Sequence, residues 1–321
     1  MRRVGGSSAI SPALLGAILL GTTQLLWGGS FWATEVAARH TEPGMIAFLR
    51  TGIALVALVA LVAVGYGRWP RGRREWAWVV ATGLLMNVVF YLGFSEGVPR
   101  AGGGNGAVLA NSVPLWVLLI SWLVLRERAT LAGIAGLLVG FAGCVVMVVP
   151  QLGGTGDTGE LVLGCLLCLA AALGWGIGTL MLARLLSKEP EIDMLGFTTA
   201  QFAVGVPIIA IVAFAVDGAA GTNWGSEQLW GPIVFLSLGG SAIATVCFFA
   251  ALRYTSPTTA SSWLFLGPVI GVLIEIARGN TPDAIVGVGM ALAILGVALV
   301  NLAPRLAAAR GPTPATADEP A

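Results

Sequence analysis

Residues 105–128 read NGAVLANSVPLWVLLISWLVLRER, an apolar segment that carries Pro114 near its middle and ends in Arg-Glu-Arg. A related segment follows much later, at residues 256–279, which read SPTTASSWLFLGPVIGVLIEIARG. Here Pro268 again stands after a small, polar beginning, and an arginine again lies near the end. Two apolar segments of this kind predict a membrane unit that occurs twice in the chain.

The composition of the chain is that of a membrane protein. Of its 321 residues, 57% are hydrophobic and 10% are charged, whereas a soluble domain carries about 25% charged residues. The net charge is only +1, and the basic residues are scattered between apolar runs. Nucleic acid is therefore not an expected partner, because phosphate binding needs concentrated lysine and arginine.

The apolar runs predict an all-α membrane protein with ten transmembrane helices, because roughly 20 helical residues cross a bilayer core. Two repeats of five spans each follow, and an odd number of spans makes the second repeat inverted. The predicted parts are a cytoplasmic N-terminus (1–12), a first repeat (13–150), a second repeat (151–303) and a disordered cytoplasmic tail (304–321). The runs cover residues 13–34, 44–64, 76–95, 106–125, 129–150, 161–183, 194–216, 228–252, 257–277 and 284–303.

Paired positions in the two halves support the duplication. A Trp-Gly dipeptide occurs in the first and the sixth span, and glycines recur at one spacing in the fifth and the tenth. The pairs are Trp27-Gly28 with Trp175-Gly176, and Gly136 and Gly143 with Gly289 and Gly296.

In this register the chain resembles the drug/metabolite transporter superfamily, in its ten-helix EamA-type branch. The resemblance covers residues 13–303 and rests on the Trp-Gly of span one, Arg50 in span two and the small residues before Pro114. The Glu-Arg pair that closes span four and the glycine-spaced fifth helix add to it. The second half departs from the pattern, because Gly279-Asn280-Thr281 stands where the Glu-Arg pair would recur.

The resemblance implies a secondary transporter that moves amino acids or related metabolites across the inner membrane, and since many members of the family are exporters, export is expected. The inverted repeat favours transport by alternating access. Multidrug efflux and the carriage of lipids or nucleotide sugars are alternatives within the superfamily, and a channel-like facilitator is an alternative of another class. The expected partners are a small-molecule substrate and the lipid bilayer, with monomer and homodimer both open. Substrates with phosphates usually require several basic groups in the cavity, and Arg50 alone provides only one.

An enzyme is not expected, because an intramembrane enzyme needs catalytic groups inside its spans. The only histidine, His40, falls in a loop, and no aspartate lies within a predicted span. The four cysteines lie in apolar runs, where they are interpreted as small hydrophobic residues. No cofactor and no metal site are predicted.

Polar and aromatic side chains inside the spans are the candidate substrate-binding groups. Gln24, Trp27 and Phe31 share one helical face with Glu35, which forms either a cavity wall or a packing surface. Asn87 must find a partner at mid-depth, so it either binds substrate or bridges helices. The predicted set is Gln24, Trp27, Phe31, Asn87, Tyr91, Asn111, Pro114, Trp116, Trp175, Trp263 and Pro268.

The two prolines are expected to interrupt their helices. Each leaves the carbonyl four residues earlier, that of Ala110 or of Leu264, without its usual donor, and such a carbonyl can kink, hinge or coordinate. In a membrane the freed group must be satisfied by protein or by a water-lined cavity. Trp116 and Trp263 flank the prolines and either close over substrate or serve packing.

Arg50 is the deepest charge, roughly 10 Å from the outer end of its span at about 1.5 Å per residue. No acidic residue stands three or four positions away, so a functional role is expected. It is predicted to pair with a glutamate in one access state, as an outer gate, or to bind a substrate carboxylate. The predicted gating or coupling residues are Arg50, Glu35, Glu96 and Glu275, although each glutamate also precedes a local arginine.

The chain is predicted to place both termini in the cytoplasm, because most of its 17 lysines and arginines then fall on that side. Green fluorescent protein fused after residue 310 is therefore expected to fluoresce, and alkaline phosphatase fused there is expected to be inactive. Fusions after Gly221, in a predicted outer loop, serve as the matched control and are expected to give the opposite readout. Phosphatase activity of the fusion at residue 310 would contradict the predicted orientation.

Overall fold

The computed structural model describes residues 11–101, 103–124, 126, 130–151 and 158–309. Within these residues ten helical spans are long and apolar enough to cross a membrane, which confirms the predicted all-α fold. The spans are α1 Pro12–Ala37, α2 Pro43–Ala63, α3 Gly72–Ala101, α4 Asn105–Leu123, α5 Leu131–Val148, α6 Thr158–Lys188, α7 Met194–Val216, α8 Glu227–Ala251, α9 Pro257–Ala277 and α10 Ala284–Ala309.

The helices extend beyond some of the predicted boundaries. α3 begins at Gly72 and α6 ends at Lys188, several residues outside the apolar runs. α10 continues to Ala309, whereas the sequence predicts a disordered tail from residue 304. Leucine and alanine in this stretch favour helix, which accounts for the extension. Predictions for residues 1–10, 127–128 and 310–321 lie outside the described residues.

Several helices begin at a polar cap that the sequence supplies. In each case a side-chain oxygen accepts a hydrogen bond from the backbone N–H three residues later, which satisfies one of the free donors at a helix start. Loops between the spans therefore end at defined residues. These caps are Ser11 for α1, Thr130 for α5, Asp193 for α7 and Ser256 for α9.

Four spans are interrupted, in two corresponding pairs. α4 breaks at the turn 111–112, two residues before Pro114, and α9 narrows to a 3₁₀ turn at Trp263–Phe265 before Pro268. α3 and α8 contain π-helical segments, Leu84–Val89 and Phe235–Ile243. Such segments widen the helix and are frequent at functional sites. The interruptions therefore fall in corresponding spans of the two halves, although their form differs.

The helices of each half pack mainly on the other half. α1 packs on α8 and α9, and α6 packs on α3 and α4, so exchanging the halves converts one set of contacts into the other. The pairs α2 with α7 and α5 with α10 convert into themselves. This is the packing pattern expected of two repeats related by a pseudo-two-fold axis. The centre of the molecule therefore lies between α1, α3, α6 and α8.

The predicted glycine pairs meet in one interface between α5 and α10. A Cβ on Gly143 would lie 2.4 Å from the nitrogen of Ala293, and one on Gly296 would lie 2.3 Å from the Cα of Gly140. Small residues at such positions let helix backbones approach closely in lipid. At Gly140, Gly143 and Gly296 the α5–α10 seam thus brings backbone directly against backbone, while the side chains of Met147, Leu299 and Val300 pack against the other glycines of the seam.

Gly296→Leu is expected to lower the free energy of unfolding by about 1–3 kcal/mol, because the added side chain overpacks the seam against rigid backbone. Thermal unfolding in detergent, followed by size-exclusion chromatography of the heated sample, measures the loss. Gly287→Leu is the matched control on the same helix, since a Cβ there meets nothing within 4 Å. Equal unfolding temperatures for the two variants would contradict the tight seam.

Candidate functional site

An aromatic cluster fills the centre of the molecule between the two halves. The rings of Trp27 and Trp175 meet edge to face, with centroids 5.3 Å apart. Phe90 lies 4.6 Å from Trp175, and Phe248 lies 5.5 Å from Trp27 and 5.8 Å from Trp175. We call Trp27, Phe90, Trp175 and Phe248 the central cluster. Phe90 and Phe248 are absent from the predicted set because they stand among many apolar residues.

The glycine of each Trp-Gly dipeptide explains how the tryptophans reach the centre. A Cβ on Gly28 would lie 2.5 Å from Ile270 and 3.0 Å from the carbonyl oxygen of Gly267, both in the proline-bearing part of α9. Gly176 faces the equivalent part of α4, where its Cβ would lie 3.2 Å from the Cβ of Trp116. The absent side chains let the halves approach until the two indoles touch.

The two equivalent indoles differ in their hydrogen bonds. Trp27 Nε1 donates to the carbonyl oxygen of Gly240, 2.8 Å away in the π-helical segment of α8. Trp175 Nε1 is buried and has no partner among the described residues. The π-helical segment of one half thus serves as an acceptor for the other half, while the corresponding bond on the opposite side is not formed.

Other buried polar groups around the central cluster also lack partners. Both amide atoms of Gln24 and the hydroxyl of Thr245 are unbonded within the described part of the chain, with residue exposures of 1% and 2%. The two residues are neighbours of a contact between α1 and α8, in which Thr23 Oγ1 donates to Ala244 O over 3.1 Å. Gln24 also faces Gly267, whose Cβ would lie 3.6 Å from Gln24 Oε1. Unbonded donors and acceptors are therefore present on α1 and α8, the helices that also carry Trp27 and Phe248 of the central cluster.

Arg50 lies close to the central cluster in a separate polar group. Its Nε donates to Ser241 Oγ over 3.0 Å, and its guanidinium carbon lies 5.0 Å from the centroid of the Tyr91 ring. The Tyr91 hydroxyl also donates to Ser241 Oγ, over 3.5 Å. Ser241 directly follows Gly240, the acceptor of Trp27. Arg50 and the central cluster are thus joined through one short stretch of α8.

The predicted ion pairs of Arg50 are not present in this structure. Each candidate glutamate pairs with the arginine that follows it on its own helix, and none of these pairs involves Arg50 within the described residues. Short local spacing makes the local pair easier to form than one across the molecule. The pairs are Glu35 with Arg39 (2.6 Å), Glu96 with Arg100, and Glu275 with Arg278 (2.6 Å).

Asn87 lies in the π-helical segment of α3 and packs beside Gly205 of α7. Its Nδ2 is buried and has no partner in the part of the chain that the structure describes. One turn away, Gln201 Nε2 donates to Thr82 Oγ1 over 2.5 Å. Gln201, missing from the predicted set, is the eighth residue of α7 counted from Met194, as Arg50 is the eighth of α2 counted from Pro43.

The remaining predicted polar side chains are bonded to other parts of the protein, and Phe31 lies at the edge of the site. Trp116 Nε1 donates to Ser112 Oγ (3.1 Å), Trp263 Nε1 to Asn301 Oδ1 (3.2 Å), and Asn111 Nδ2 to Ala107 O (2.8 Å). Phe31 is 39% exposed and packs near Gly271. The structure therefore does not bring their polar atoms into the central cluster.

A cavity of about 450 Å³ opens elsewhere, between the loop that joins α2 to α3 and the loop that joins α6 to α7. Its rim carries charges of both signs, including Arg68, Lys188 and Asp193. None of the predicted site residues lines it. In the described residues, no three histidine, cysteine, aspartate or glutamate side chains gather as metal ligands do.

Comparison with known proteins relates the chain to transporters. The sequence profile of the EamA-like transporter family matches residues 14–149 and, a second time, residues 162–302. The uncharacterized transporter YvbV of Bacillus subtilis (strain 168) is 24% identical over 293 residues, which are 90% of this chain and 92% of that protein. The uncharacterized inner membrane transporter YedA of Escherichia coli (strain K12) is 25% identical over 297 residues, 90% of each chain.

Two further comparisons also cover most of the chain. The WAT1-related protein At3g02690, chloroplastic, of Arabidopsis thaliana is 29% identical over 285 residues, which are 86% of this chain and 66% of that protein. A solved crystal structure superposes with a TM-score of 0.74 over 91% of this chain at 22% identity, a likeness of fold alone. The resemblance is confirmed, and so is the prediction that the chain is a transporter and not an enzyme. Because the profile matches both halves, the chain belongs to the EamA-like transporter family.

Proposed function

We propose that the chain exports small metabolites, amino acids or related compounds, across the inner membrane as a secondary transporter that works by alternating access. The substrate binds between the two halves, against the central cluster and the polar groups around it. The bacterial relatives are named as transporters without a cargo, and a shared fold does not identify one. The cargo must therefore be argued from the site.

The observation that carries the proposal is the set of buried polar atoms without partners. A buried donor or acceptor that is left unbonded costs about 1–3 kcal/mol. Gln24, Thr245 and Trp175, on the helices that hold the central cluster, together present four such atoms. A protein that only needed packing there would be more stable with apolar side chains. A substrate that bonds these atoms recovers the cost, which is the arrangement expected of a binding site.

The packing pattern supports alternating access. Five spans in each half give the second repeat an inverted insertion, the arrangement in which one site between the halves is opened to either side in turn. The hydrogen bond from Trp27 to Gly240 is formed while its counterpart from Trp175 is not. This difference supports two halves that occupy unlike states at one time, as alternation requires. The even number of spans puts both termini on the same side of the membrane, and the distribution of lysine and arginine favours the cytoplasmic side.

Purified protein in proteoliposomes is expected to give saturable flux of at least one member of a panel of amino acids, organic carboxylates and cationic drugs. An imposed pH gradient is expected to change the rate if protons drive transport. Protein-free liposomes are the control. Flux that rises linearly with concentration and never saturates would indicate a channel-like facilitator, which contradicts alternating access.

Gln24→Leu is expected to abolish flux of the identified substrate while leaving the unfolding temperature unchanged or raised, because it removes two unbonded polar atoms. Loss of a structural hydrogen bond would lower the unfolding temperature instead. Gln228→Leu is the matched control, since Gln228 is exposed at the start of α8, far along the helix from the cluster. A Gln24→Leu protein that transports normally would exclude Gln24 from the site.

A further inference from the structure

Arg50 contacts Ser241 and Tyr91, whose chain neighbours Gly240 and Phe90 contact or belong to the central cluster, and these surroundings indicate what Arg50 binds. Given the transport function proposed above, we infer that the substrate is an organic monoanion, a carboxylate on an aromatic or alicyclic body. Arg50 binds the carboxylate, and the central cluster binds the apolar body.

The guanidinium of Arg50 is held in place but only partly satisfied. Nε is bonded to Ser241 Oγ, and the Tyr91 ring covers one face of the group. The two terminal nitrogens have no hydrogen-bond acceptor among the described residues; one of them lies 3.3 Å from the position that a Cβ on Gly240 would take. These nitrogens form the planar fork that matches a carboxylate. Ser241 and Tyr91 thus fix the direction in which the fork points.

The protein supplies Arg50 with no carboxylate of its own in the described residues. The three candidate glutamates are paired with Arg39, Arg100 and Arg278. The carboxylate of Asp217 accepts a hydrogen bond from the backbone nitrogen of Met45, near the start of α2. A cation at this depth is costly in a membrane unless it is paired. An anionic substrate supplies the missing partner.

The surroundings of Arg50 also set the shape of the anion. Tyr91 follows Phe90, with ring centroids 5.6 Å apart, and Phe90 is a member of the central cluster. On the other side, Gly240 precedes Ser241 and accepts the indole bond of Trp27. When its carboxylate is bound at Arg50, the apolar body of the anion therefore has aromatic rings beside it. Rings bind flat or edge-on to such a surface.

The positive charge of Arg50 also discriminates against other classes of substrate. An ammonium group near Arg50 is repelled, and the described residues of the site offer no carboxylate to bind it. The equivalent position in the second half is the neutral Gln201, so one positive charge is available and a dianion leaves one negative charge unpaired. The expected order of affinity is monoanion, then zwitterion, then amine.

A ring-matched series tests the order on the full-length protein in detergent, by isothermal titration calorimetry. The ligands are 3-phenylpropionate, phenylalanine, 2-phenylethylamine and the uncharged 3-phenylpropanol. We expect 3-phenylpropionate to bind at least about tenfold more tightly than phenylalanine, with no measurable binding of the amine. Arg50→Gln is expected to weaken 3-phenylpropionate binding on the order of a hundredfold, and to leave 3-phenylpropanol binding unchanged, which shows that the variant is folded. Arg50→Lys is expected to retain part of the anion preference.

Arg39→Gln is the matched control, because Arg39 is exposed at the outer end of α1 and pairs with Glu35. Its binding of 3-phenylpropionate is expected to equal that of the unaltered protein. Tighter binding of phenylalanine or of the amine overturns the anion inference but leaves the transport function standing. Failure of all four compounds to bind also overturns it, and the flux panel then decides separately whether the chain transports. Rescue of an Arg50→Glu variant by Glu275→Arg would make Arg50 a gate residue and overturn the inference as well.

Discussion

The close approach of each Trp-Gly dipeptide to the proline-bearing helix of the opposite half is the constraint on which the rest of the structure depends. Gly28 lies so near Gly267 and Ile270 that no side chain fits between, and Gly176 faces α4 less tightly, with 3.2 Å from its Cβ position to the Cβ of Trp116. Between membrane helices, packing of this kind provides much of the attraction, because lipid tails are as apolar as leucine. The approach brings Trp27 and Trp175 into contact. The central cluster is therefore a result of backbone packing.

The spans could be predicted because hydrophobic length is read directly from the sequence, and the glycine pairs could be predicted because their spacing recurs. Trp27 and Trp175 were recognisable for the same reason. The acceptor of Trp27 was not, since the carbonyl of Gly240 leaves no mark on side-chain patterns. The π-helical segment Leu84–Val89 contains neither proline nor glycine and reads as ordinary helix. Only the packing of α3 against α6 and α7 distinguishes it.

Arg50 illustrates both the reach and the limit of sequence reasoning. Its depth follows from its place in the apolar run, and so does the expectation of a functional role. The glutamates were its only visible partners, yet each is bonded to an arginine of its own helix, as local spacing allows. Ser241 and Tyr91 come from α8 and α3, and a serine within an apolar run gives no sign of holding a guanidinium. Long-range polar contacts depend on the fold as a whole.

Arg50 and Gln201 occupy corresponding places in the two halves, and their difference bears on how such a chain can arise from a duplicated unit. Two copies of the first half would hold two arginines in the membrane interior, where like charges repel. Two copies of the second half would hold two neutral amides instead. An assembly of two identical halves would therefore carry either two positive charges or none at this position, never one. Divergence of the two halves is what permits that odd charge, and after it the halves are no longer interchangeable.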